Sequence, residues 1–352
     1  MAASVTVIHV LGSLDIGGAE RVALDLVRAA PRDIRQDFFC LGGREGDLAD
    51  EFRQLGCRVW AARGPWPLSL LLQLLACRPS TVVSHVSLTS GVVLALAWVA
   101  GVPRRMARIH STGDGRHGWA RSAYRRLMRI LLWHVATDVV AVNRAALAFA
   151  AGPRPPRPAR RAVAHVVPNG VDTERFRPTF LRTTQAGALQ VVHVGRGAPE
   201  KNRAVLPVFM EHLRAQMPAV LHLYGSPTDE DLGPYDAESV QNHGVVTNIP
   251  EVLSGADVLV LPSLREGQPG VILEALSMDV PVVAADIPGI RELAHLDGLK
   301  LVPLQASPAV WADALVRAGS AVQETRQLRE SVLSSEYSLA RTAGWWSRQW
   351  RR

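Results

Sequence analysis

The chain has 352 residues, of which 48% are hydrophobic and 20% charged, so it is long enough for two ordinary domains and too apolar for extensive disorder. The three cysteines, Cys40, Cys57 and Cys77, have no close pairing motif, which disfavours a disulfide framework or a zinc site and favours a reducing cytoplasm. The net charge is +7, and the first residues, with no basic segment, indicate a strand instead of a secretory signal.

The first half of the chain has the pattern of a doubly wound α/β domain. An apolar run from Val5 is followed by a loop with adjacent Gly17 and Gly18 and then by a helical segment. Further strands are predicted in the segments 36–43, 57–62, 81–86, 105–110 and 138–143. His110 lies at the carboxyl end of one predicted strand and His85 near that of another, where parallel sheets bind ligands.

Two apolar stretches, Pro67 to Cys77 and Val86 to Gly101, are shorter than the roughly 20 residues of a membrane-spanning helix, so we expect core helices. Between Pro103 and Arg161 the sequence has thirteen arginines against two acids. Within this region, Gly118 to Val135 has the composition of a basic amphipathic helix. It fits an anionic membrane surface, with Arg121, Arg125, Arg126 and Arg129 as the contacting residues, or an ordinary solvated helix. No recognised nucleic-acid motif accompanies it.

A Pro/Arg-rich stretch, Ala151 to Arg161, is typical of a surface connection, and a second α/β domain follows it. Its strands are predicted in the segments 189–196, 219–226 and 256–263, with another unit near 244–249. The end of the chain carries Trp345, Trp346 and Trp350 in helical phase, a pattern that suits either packing on the first domain or a membrane-seeking tail.

The loop after the first strand of this second domain carries two cations. Arg196 directly follows the strand and Lys201 comes five residues later. A guanidinium grips two phosphate oxygens and an ammonium acts as a point charge, so the pair predicts phosphate binding. Some sites of this kind hold a divalent metal on an Asp-x-Asp motif; we expect this chain to lack that motif and to meet the phosphate charge with side-chain cations and no metal. Glu200, Asn202 and Arg203 fit caps or exposed positions equally well.

The most specific segment runs from Arg265 to Leu276 and places Glu266 and Glu274 across a strand-to-helix turn. Pro269 suits the first position of a helix, and Gly270 lets the backbone approach a ligand. Amides at such a helix start attract phosphate. Glu274, inside the helix, suits vicinal ribose hydroxyls, and Glu266 suits hydroxyls of a sugar. Taken singly, each acid also fits an ordinary solvated position.

These motifs resemble glycosyltransferase family 4, whose members carry a Glu-x7-Glu motif, a Gly-Arg-x4-Lys motif and a Val-Pro-Asn-Gly-Val-Asp segment, here Val167 to Asp172. The resemblance implies a GT-B fold: two Rossmann-like doubly wound domains facing a central cleft, at residues 1–163 and 164–335, with a terminal helix at 336–352 packing back on the first. One departure is Asp279, where relatives commonly have glycine.

The resemblance also implies a retaining mechanism and a set of site residues. We expect catalytic roles for His110, Arg196, Lys201 and Glu266. We expect donor contacts from Gly17, Gly18, Arg196, Lys201, Ser263, Glu266, Gly267, Pro269, Gly270, Val271 and Glu274. No metal and no cofactor are expected; the donor is a UDP- or GDP-sugar.

The predicted function is transfer of a sugar from a nucleoside diphosphate to an acceptor hydroxyl, in polysaccharide, lipopolysaccharide or glycolipid synthesis. The partners are the nucleotide sugar, a glycan or lipid-linked acceptor and an anionic membrane surface, without nucleic acid. The expected location is cytoplasmic, with peripheral attachment to the inner membrane face. Two alternatives are an epimerase of the same architecture and an inactive scaffold bound to membrane or nucleic acid.

Overall fold

In the computed structural model, the apolar runs form parallel strands connected by helices. The structure describes residues 5–115, 118–153, 162–178, 187–226, 228–320 and 328–352. Most of the Pro/Arg-rich stretch, at 154–161, lies outside them, as do five of the thirteen arginines between Pro103 and Arg161. The chain divides into two compact units. One comprises the described residues of Met1–Gly170 together with Leu339–Arg352, and the other those of Val171–Ser338.

Parallel strands of one sheet form the centre of the first unit. They are β1 (Val5–Leu11), β2 (Ile34–Cys40), β3 (Val59–Ala61), β4 (Thr81–Ser84), β5 (Arg104–Ile109), β6 (Asp138–Ala141) and β7 (Val163–Val166). The order β3-β2-β1-β4-β5-β6-β7 reverses direction between β1 and β4, as in doubly wound folds. The predicted boundary between residues 163 and 164 falls inside β7, which pairs with β6 in this sheet.

Helices connect these strands and cover the sheet. They are α1 (Gly18–Ala29), α2 (Ala49–Gln54), α3 (Trp66–Cys77), α4 (Ser90–Val99), α5 (Trp119–Val135) and α6 (Arg144–Ala151). The two apolar stretches weighed as membrane spans are α3 and α4. Among the described residues, every helix is too short or too polar to cross a bilayer. All three cysteines are unpaired thiols.

The second unit repeats the plan with a smaller parallel sheet. Its strands are β8 (Leu189–Val194), β9 (Ala219–Tyr224), β10 (Val240–Asn242), β11 (Val258–Leu261), β12 (Val282–Ala285) and β13 (Leu299–Val302), in the order β10-β9-β8-β11-β12-β13. Its helices are α7 (Leu206–Arg214), α8 (Ile249–Ser254), α9 (Gly270–Ser277), α10 (Pro288–Arg291), α11 (Pro308–Gly319) and α12 (Leu328–Ser334). The unit expected near 244–249 has its strand slightly earlier, at β10.

The last helix, α13 (Leu339–Trp350), belongs to the first unit. Trp346 and Trp350 are each 2% exposed and share a cluster with apolar residues of β1, β4, β5 and β6. Arg351 adds an ion pair with Asp33, at 2.8 Å. The tryptophans therefore pack in the core of this unit, which is the first of the two roles weighed for them. The two-domain α/β architecture predicted from the sequence is confirmed.

Candidate active site

Most of the residues predicted to bind the donor lie on two loops at one edge of the second sheet or in the helix that follows the second loop. β8 and β11 are hydrogen-bonded neighbours and run parallel, so the loops that follow them leave the sheet at the same edge. Ligands of open α/β sheets bind at such carboxyl ends. Residues 195–202 form the first loop, here called the cation loop, and residues 262–269 form the second, here called the glutamate loop.

Three contacts join the two loops. Lys201 Nζ lies 2.7 Å from Glu266 Oε1. Asn202 Nδ2 donates to the Pro262 carbonyl at 3.1 Å, and the Leu264 amide donates to the Glu200 carbonyl at 2.8 Å. The side chains of Lys201 and Glu266 are only 18% and 11% exposed. The predicted phosphate cation and the predicted sugar-binding acid are therefore direct partners.

Arg196 has a different environment. Its side chain is 69% exposed and its Nη2 atom lies 3.9 Å from Glu200 Oε1, at the edge of ion-pair range. An exposed pair at this distance holds the guanidinium weakly. Arg196 therefore keeps most of its hydrogen-bonding capacity for a ligand such as a phosphate.

Helix α9 begins at Gly270, and Pro269 is its N-cap residue, with φ −72° and ψ 111°. The sequence predicts Pro269 as the first helical residue, whereas the helix begins one residue later, at Gly270. The amides of Gly270 and Val271 belong to the first turn, where backbone donors lack partners within the helix. A methyl group added to Gly270 would lie 3.7 Å from Glu274 Oε1. The Glu274 carboxylate therefore reaches back toward the helix start, where anions are favoured.

Ser263 follows β11 and is fully buried. Its hydroxyl has no hydrogen-bond partner within the part of the chain that the structure describes. Buried hydroxyls normally have one. Ser263 is one of the residues predicted to contact the donor, and it lies within the glutamate loop.

Two close backbone approaches shape this edge of the sheet. Gly225, after β9, has φ +104°, and a methyl group there would lie 2.9 Å from the Gly195 carbonyl. A methyl group on Gly289, in α10, would collide with the carbonyl oxygens of Glu266 and Gly267. The absence of a side chain at Gly289 thus lets α10 pack closely against the backbone of the glutamate loop. None of the motifs in the sequence predicts this contact.

The first unit carries Gly17, Gly18 and His110. Gly17 is the N-cap residue of α1, and a side chain at Gly18 would meet nothing within 4 Å, so the loop after β1 is open there. His110 follows β5 and bonds through Nε2 to His85 Nδ1 at 2.9 Å. Burial, with the nearby charge of Arg108 as a smaller cause, lowers the pKa of His110 to about 3. The imidazole is therefore neutral at physiological pH.

Two features of the second unit correct the sequence analysis. Arg203 is 2% exposed, buried instead of capping or solvated, and its Nη1 atom lies 3.4 Å from Asp231 Oδ1. The expectation of a metal-free site also overlooked an Asp-x-Asp sequence at Asp229-Glu230-Asp231. Tyr235 and Asn242 both donate to Asp229. Asp229 therefore has hydrogen-bond partners and Asp231 has an ion-pair partner in the protein, and the described residues contain no group of three or more His, Cys, Asp or Glu side chains that could hold a metal ion.

Paired Rossmann-like units with a cation loop and a glutamate loop define a glycosyltransferase of the GT-B architecture, and comparison with known proteins gives its family. The model of the family described as Glycosyltransferase Family 4 matches residues 16–175, and the model described as Glycosyl transferases group 1 matches residues 188–320. The chain belongs to glycosyltransferase family 4, with a group 1 domain as its second unit.

Two relatives extend over nearly the whole chain. The putative glycosyltransferase EpsF of Bacillus subtilis is 27% identical over 96% of this chain and 94% of its own. The capsular polysaccharide biosynthesis glycosyltransferase CapH of Staphylococcus aureus is 20% identical over 88% of this chain and 90% of its own. Among solved structures, Anabaena HepE with UDP has a TM-score of 0.76 and 18% identity, covering 99% of both chains. HepE has also been solved with UDP-glucose.

Proposed function

We propose that this enzyme transfers a hexosyl group from a UDP- or GDP-sugar to a hydroxyl group of a growing cell-surface polysaccharide or glycolipid, with retention of anomeric configuration. The observation that carries the proposal is the contact between Lys201 and Glu266, at 2.7 Å, on adjoining loops. A cation suited to phosphate and a carboxylate suited to sugar hydroxyls are thus neighbours, which supports a site for a sugar joined to a diphosphate.

Charge development explains the use of these groups. When the bond between the anomeric carbon and the phosphate oxygen breaks, the leaving diphosphate gains negative charge. Arg196, Lys201 and the first amides of α9 stabilise that charge. Glu274 accepts from the ribose hydroxyls, Glu266 accepts from a hydroxyl of the transferred sugar, and His110 contacts a substrate hydroxyl.

The donor assignment has support from a protein of the same fold, since HepE has been solved with UDP and with UDP-glucose. CapH, a relative over most of the chain, is named for capsular polysaccharide biosynthesis, which supports a polysaccharide acceptor. Side-chain cations serve the leaving group in this proposal, so transfer continues when divalent metals are chelated with EDTA.

A panel of UDP-, GDP-, ADP- and TDP-sugars, screened by thermal shift, tests donor binding. A ligand at about 100 times its dissociation constant adds roughly 2.7 kcal/mol of stability. Glu274→Ala is expected to abolish most of that shift. Glu211→Ala, which removes an exposed helical glutamate of the same unit, is the matched control and leaves the shift unchanged. An unchanged shift in Glu274→Ala would refute the assigned donor site.

Product analysis separates transfer from its two alternatives. Incubation of the binding sugar nucleotide without acceptor leaves a transferase substrate intact or slowly hydrolysed, whereas an epimerase converts it to a second sugar nucleotide. With lipid-linked or polysaccharide acceptors, a transferase releases the nucleoside diphosphate and forms a new glycoside. NMR of that glycoside reports its anomeric configuration. Donor binding with neither reaction would identify an inactive scaffold.

We propose further that the enzyme binds its acceptor at an anionic membrane surface and that α5 contacts the lipid. Trp119, Leu127 and Ile130 on this helix are 86%, 60% and 48% exposed, beside the exposed Arg126. Apolar side chains next to arginine suit the boundary between headgroups and acyl chains. The enzyme then works on the cytoplasmic face, as the location predicted from the sequence requires.

The other three arginines predicted for this role have protein partners. Arg121 and Arg125 form ion pairs with Asp114, and Arg129 donates to the Phe149 carbonyl at 2.8 Å. Replacing all four arginines would therefore damage the first unit as well as any lipid contact. A sharper variant combines Arg126→Glu, Leu127→Ser and Ile130→Ser.

Flotation with vesicles of phosphatidylcholine and phosphatidylglycerol tests this surface. The triple variant is expected to remain unbound, while the intact chain floats with the anionic vesicles and loses that binding at high salt. Val245→Ser with Val310→Ser removes two exposed apolar side chains of the second unit and serves as the control. Equal flotation of the triple variant and the intact chain would overturn the membrane proposal without affecting the donor site.

A further inference from the structure

A continuous line of hydrogen-bonded side chains crosses the first sheet and ends at His110. Gln36 Oε1 lies 3.1 Å from His9 Nε2, His9 Nδ1 lies 3.0 Å from His85 Nε2, and His85 Nδ1 lies 2.9 Å from His110 Nε2. The four residues lie in or directly after β2, β1, β4 and β5, which are neighbours in that order in the sheet. This histidine chain therefore runs from the interior of the sheet to its carboxyl edge.

The surroundings of the histidine chain keep its rings uncharged. His9 is 1% exposed, and burial lowers its pKa to about 4. Burial and the adjacent His110 and His9 lower the pKa of His85 well below its ordinary value. Arg108, fully buried in β5, adds a positive charge that disfavours protonation of both His85 and His110.

A neutral imidazole has one N–H donor and one lone-pair acceptor. Each contact between two ring nitrogens needs a single proton, which one ring donates to the other. All hydrogen bonds of the histidine chain must therefore run in the same direction. The amide oxygen of Gln36 is an acceptor, so His9 carries its proton on Nε2. His9 Nδ1 then accepts from His85 Nε2, and His85 Nδ1 accepts from His110 Nε2.

We propose that Gln36 is a positioning residue that fixes the tautomer of His110 through His9 and His85. The proton of His110 lies on Nε2, and Nδ1 presents a lone pair. The catalytic consequence rests on the proposed function: Nδ1 accepts a hydrogen bond from a hydroxyl group of a bound substrate. An amide oxygen does not take up a proton at physiological pH, so the chain holds a tautomer and does not carry protons away.

The direct test is nitrogen NMR of the full-length enzyme labelled with ¹⁵N-histidine, with His110 assigned from the spectrum of His110→Gln. The expected spectrum shows protonated Nε2 and unprotonated Nδ1 for His110. In Gln36→Leu, the buried N–H of His9 loses its acceptor, which costs free energy. Reversing the direction of the hydrogen bonds in the histidine chain relieves this cost. The form of His110 protonated on Nδ1 is then expected to appear. Gln36→Glu retains an acceptor and is expected to restore the original form.

Kinetics provide a second readout. Gln36→Leu is expected to lower kcat between about twofold and tenfold through the lost hydrogen bond, with Gln36→Glu recovering part of it. The thermal shift with UDP reports the second unit and is expected to stay unchanged. If UDP gives no thermal shift with the unsubstituted protein, that result contradicts the proposed function instead. The two failures are therefore distinguishable.

The second unit offers a matched control. Gln190 Oε1 lies 2.8 Å from His222 Nε2, and His222 Nδ1 lies 2.9 Å from His243 Nε2, so the same chemistry occurs near the amino end of β8. Gln190→Leu is expected to leave kcat and the His110 signals as they are. Either of two results overturns the proposal: a proton on His110 Nδ1 in the intact enzyme, or an unchanged His110 spectrum in folded Gln36→Leu.

Discussion

Lys201 and Glu266, 65 positions apart in the chain, meet with their charged atoms 2.7 Å apart. Each balances the charge of the other while both are mostly buried. Under the proposed function, a bound donor competes for both partners, because its phosphate attracts the ammonium and its sugar hydroxyls donate to the carboxylate. The proposed site is then assembled before the donor arrives, and binding redistributes an existing pair.

This relationship predicts opposite effects of two substitutions on UDP affinity. Glu266→Gln releases the Lys201 ammonium from its carboxylate, so we expect UDP, which has no sugar to lose contact with, to bind several-fold more tightly. Lys201→Met removes the cation, and we expect UDP to bind at least tenfold more weakly, the loss of a charged hydrogen bond. Isothermal titration calorimetry measures both. Both variants lose sugar transfer.

The same pair can be measured in the folded protein without ligand. Urea unfolding of the two single variants and the double variant is expected to give a coupling free energy of about 1–3 kcal/mol. Glu211→Gln, measured alone and together with Lys201→Met, is the control, and this second pair is expected to show no coupling free energy. A coupling near zero would mean that the contact contributes nothing to the resting site.

Because Gly289 closely contacts the glutamate loop, we expect a substitution there to lower activity while every polar site residue stays in place. In Gly289→Ala the new methyl group meets the backbone of Glu266 and Gly267 and displaces the glutamate loop. A shift of about 1 Å in a positioned group costs up to roughly 100-fold in rate. We expect kcat/KM to fall between about tenfold and 100-fold and the free energy of unfolding to fall by about 1–3 kcal/mol.

The control for this substitution is Gly255→Ala in the same unit. Gly255 ends α8 with φ −90° and ψ −5°, and a methyl group there meets only the Val252 carbonyl, at 3.8 Å. Activity and stability are expected to change little. Full activity in Gly289→Ala would show that α10 does not position Glu266.

The sequence predicted most of the central strands of both sheets and placed the edges less well. β7, β12 and β13 were not predicted, and β10 was placed a few residues late; all of these except β12 are outermost strands. Outermost strands lack neighbours on one side, and the residues of β7 are largely exposed. Their apolar signal is correspondingly weak, because it depends on burial on both faces.

The candidate site divides in the same way between local and long-range features. Motif spacing and family resemblance pointed to Arg196, Lys201, Glu266 and Glu274 separately, since each motif is local. The contact between Lys201 and Glu266 depends on β8 and β11 being neighbours, and the histidine chain depends on the order β2-β1-β4-β5. Neither order follows from spacing. Polar Gln36 and His9 inside apolar strands were a signal in the sequence, and so was the overlooked Asp-x-Asp.

Asp279 departs from the glycine that the family resemblance implies, and its conformation sets backbone strain against a hydrogen bond. Its φ is +56°, in the left-handed region, at the turn after α9. A non-glycine residue there costs about 1–2 kcal/mol. In return, Asp279 Oδ1 accepts from the Arg329 amide at 2.9 Å, at the start of α12. A typical hydrogen bond of this kind contributes about 0.5–1.5 kcal/mol, so the two effects nearly cancel.

Two substitutions separate these effects in urea unfolding. Asp279→Gly loses the bond and the strain together, so we expect its free energy of unfolding to lie within about 1 kcal/mol of the unchanged protein. Asp279→Ala loses the bond and keeps the strain, so we expect it to be less stable by about 1–2 kcal/mol. Equal stability of the two variants would mean that the left-handed conformation stores no strain.

His193 in β8 predicts how stability depends on pH. It is fully buried, its Nδ1 donates to the Val260 carbonyl at 3.0 Å, and burial lowers its pKa to about 3. In the unfolded chain a histidine has a pKa of about 6.5. Between these values the unfolded state binds a proton that the folded state does not. The stabilisation is therefore fully present above about pH 6.5 and is lost progressively as the pH falls toward 3.

One histidine of this kind contributes a slope of about 1.4 kcal/mol per pH unit to the free energy of unfolding once its unfolded form is protonated. Urea unfolding between about pH 4.5 and 6 is expected to give His193→Leu a slope shallower than that of the unchanged protein by nearly this amount. Val192→Ala, a neighbouring core substitution in the same strand, is expected to lower stability equally at every pH. Parallel lines for His193→Leu and the unchanged protein would show that His193 takes up its proton in the folded state, and the burial argument would then fail.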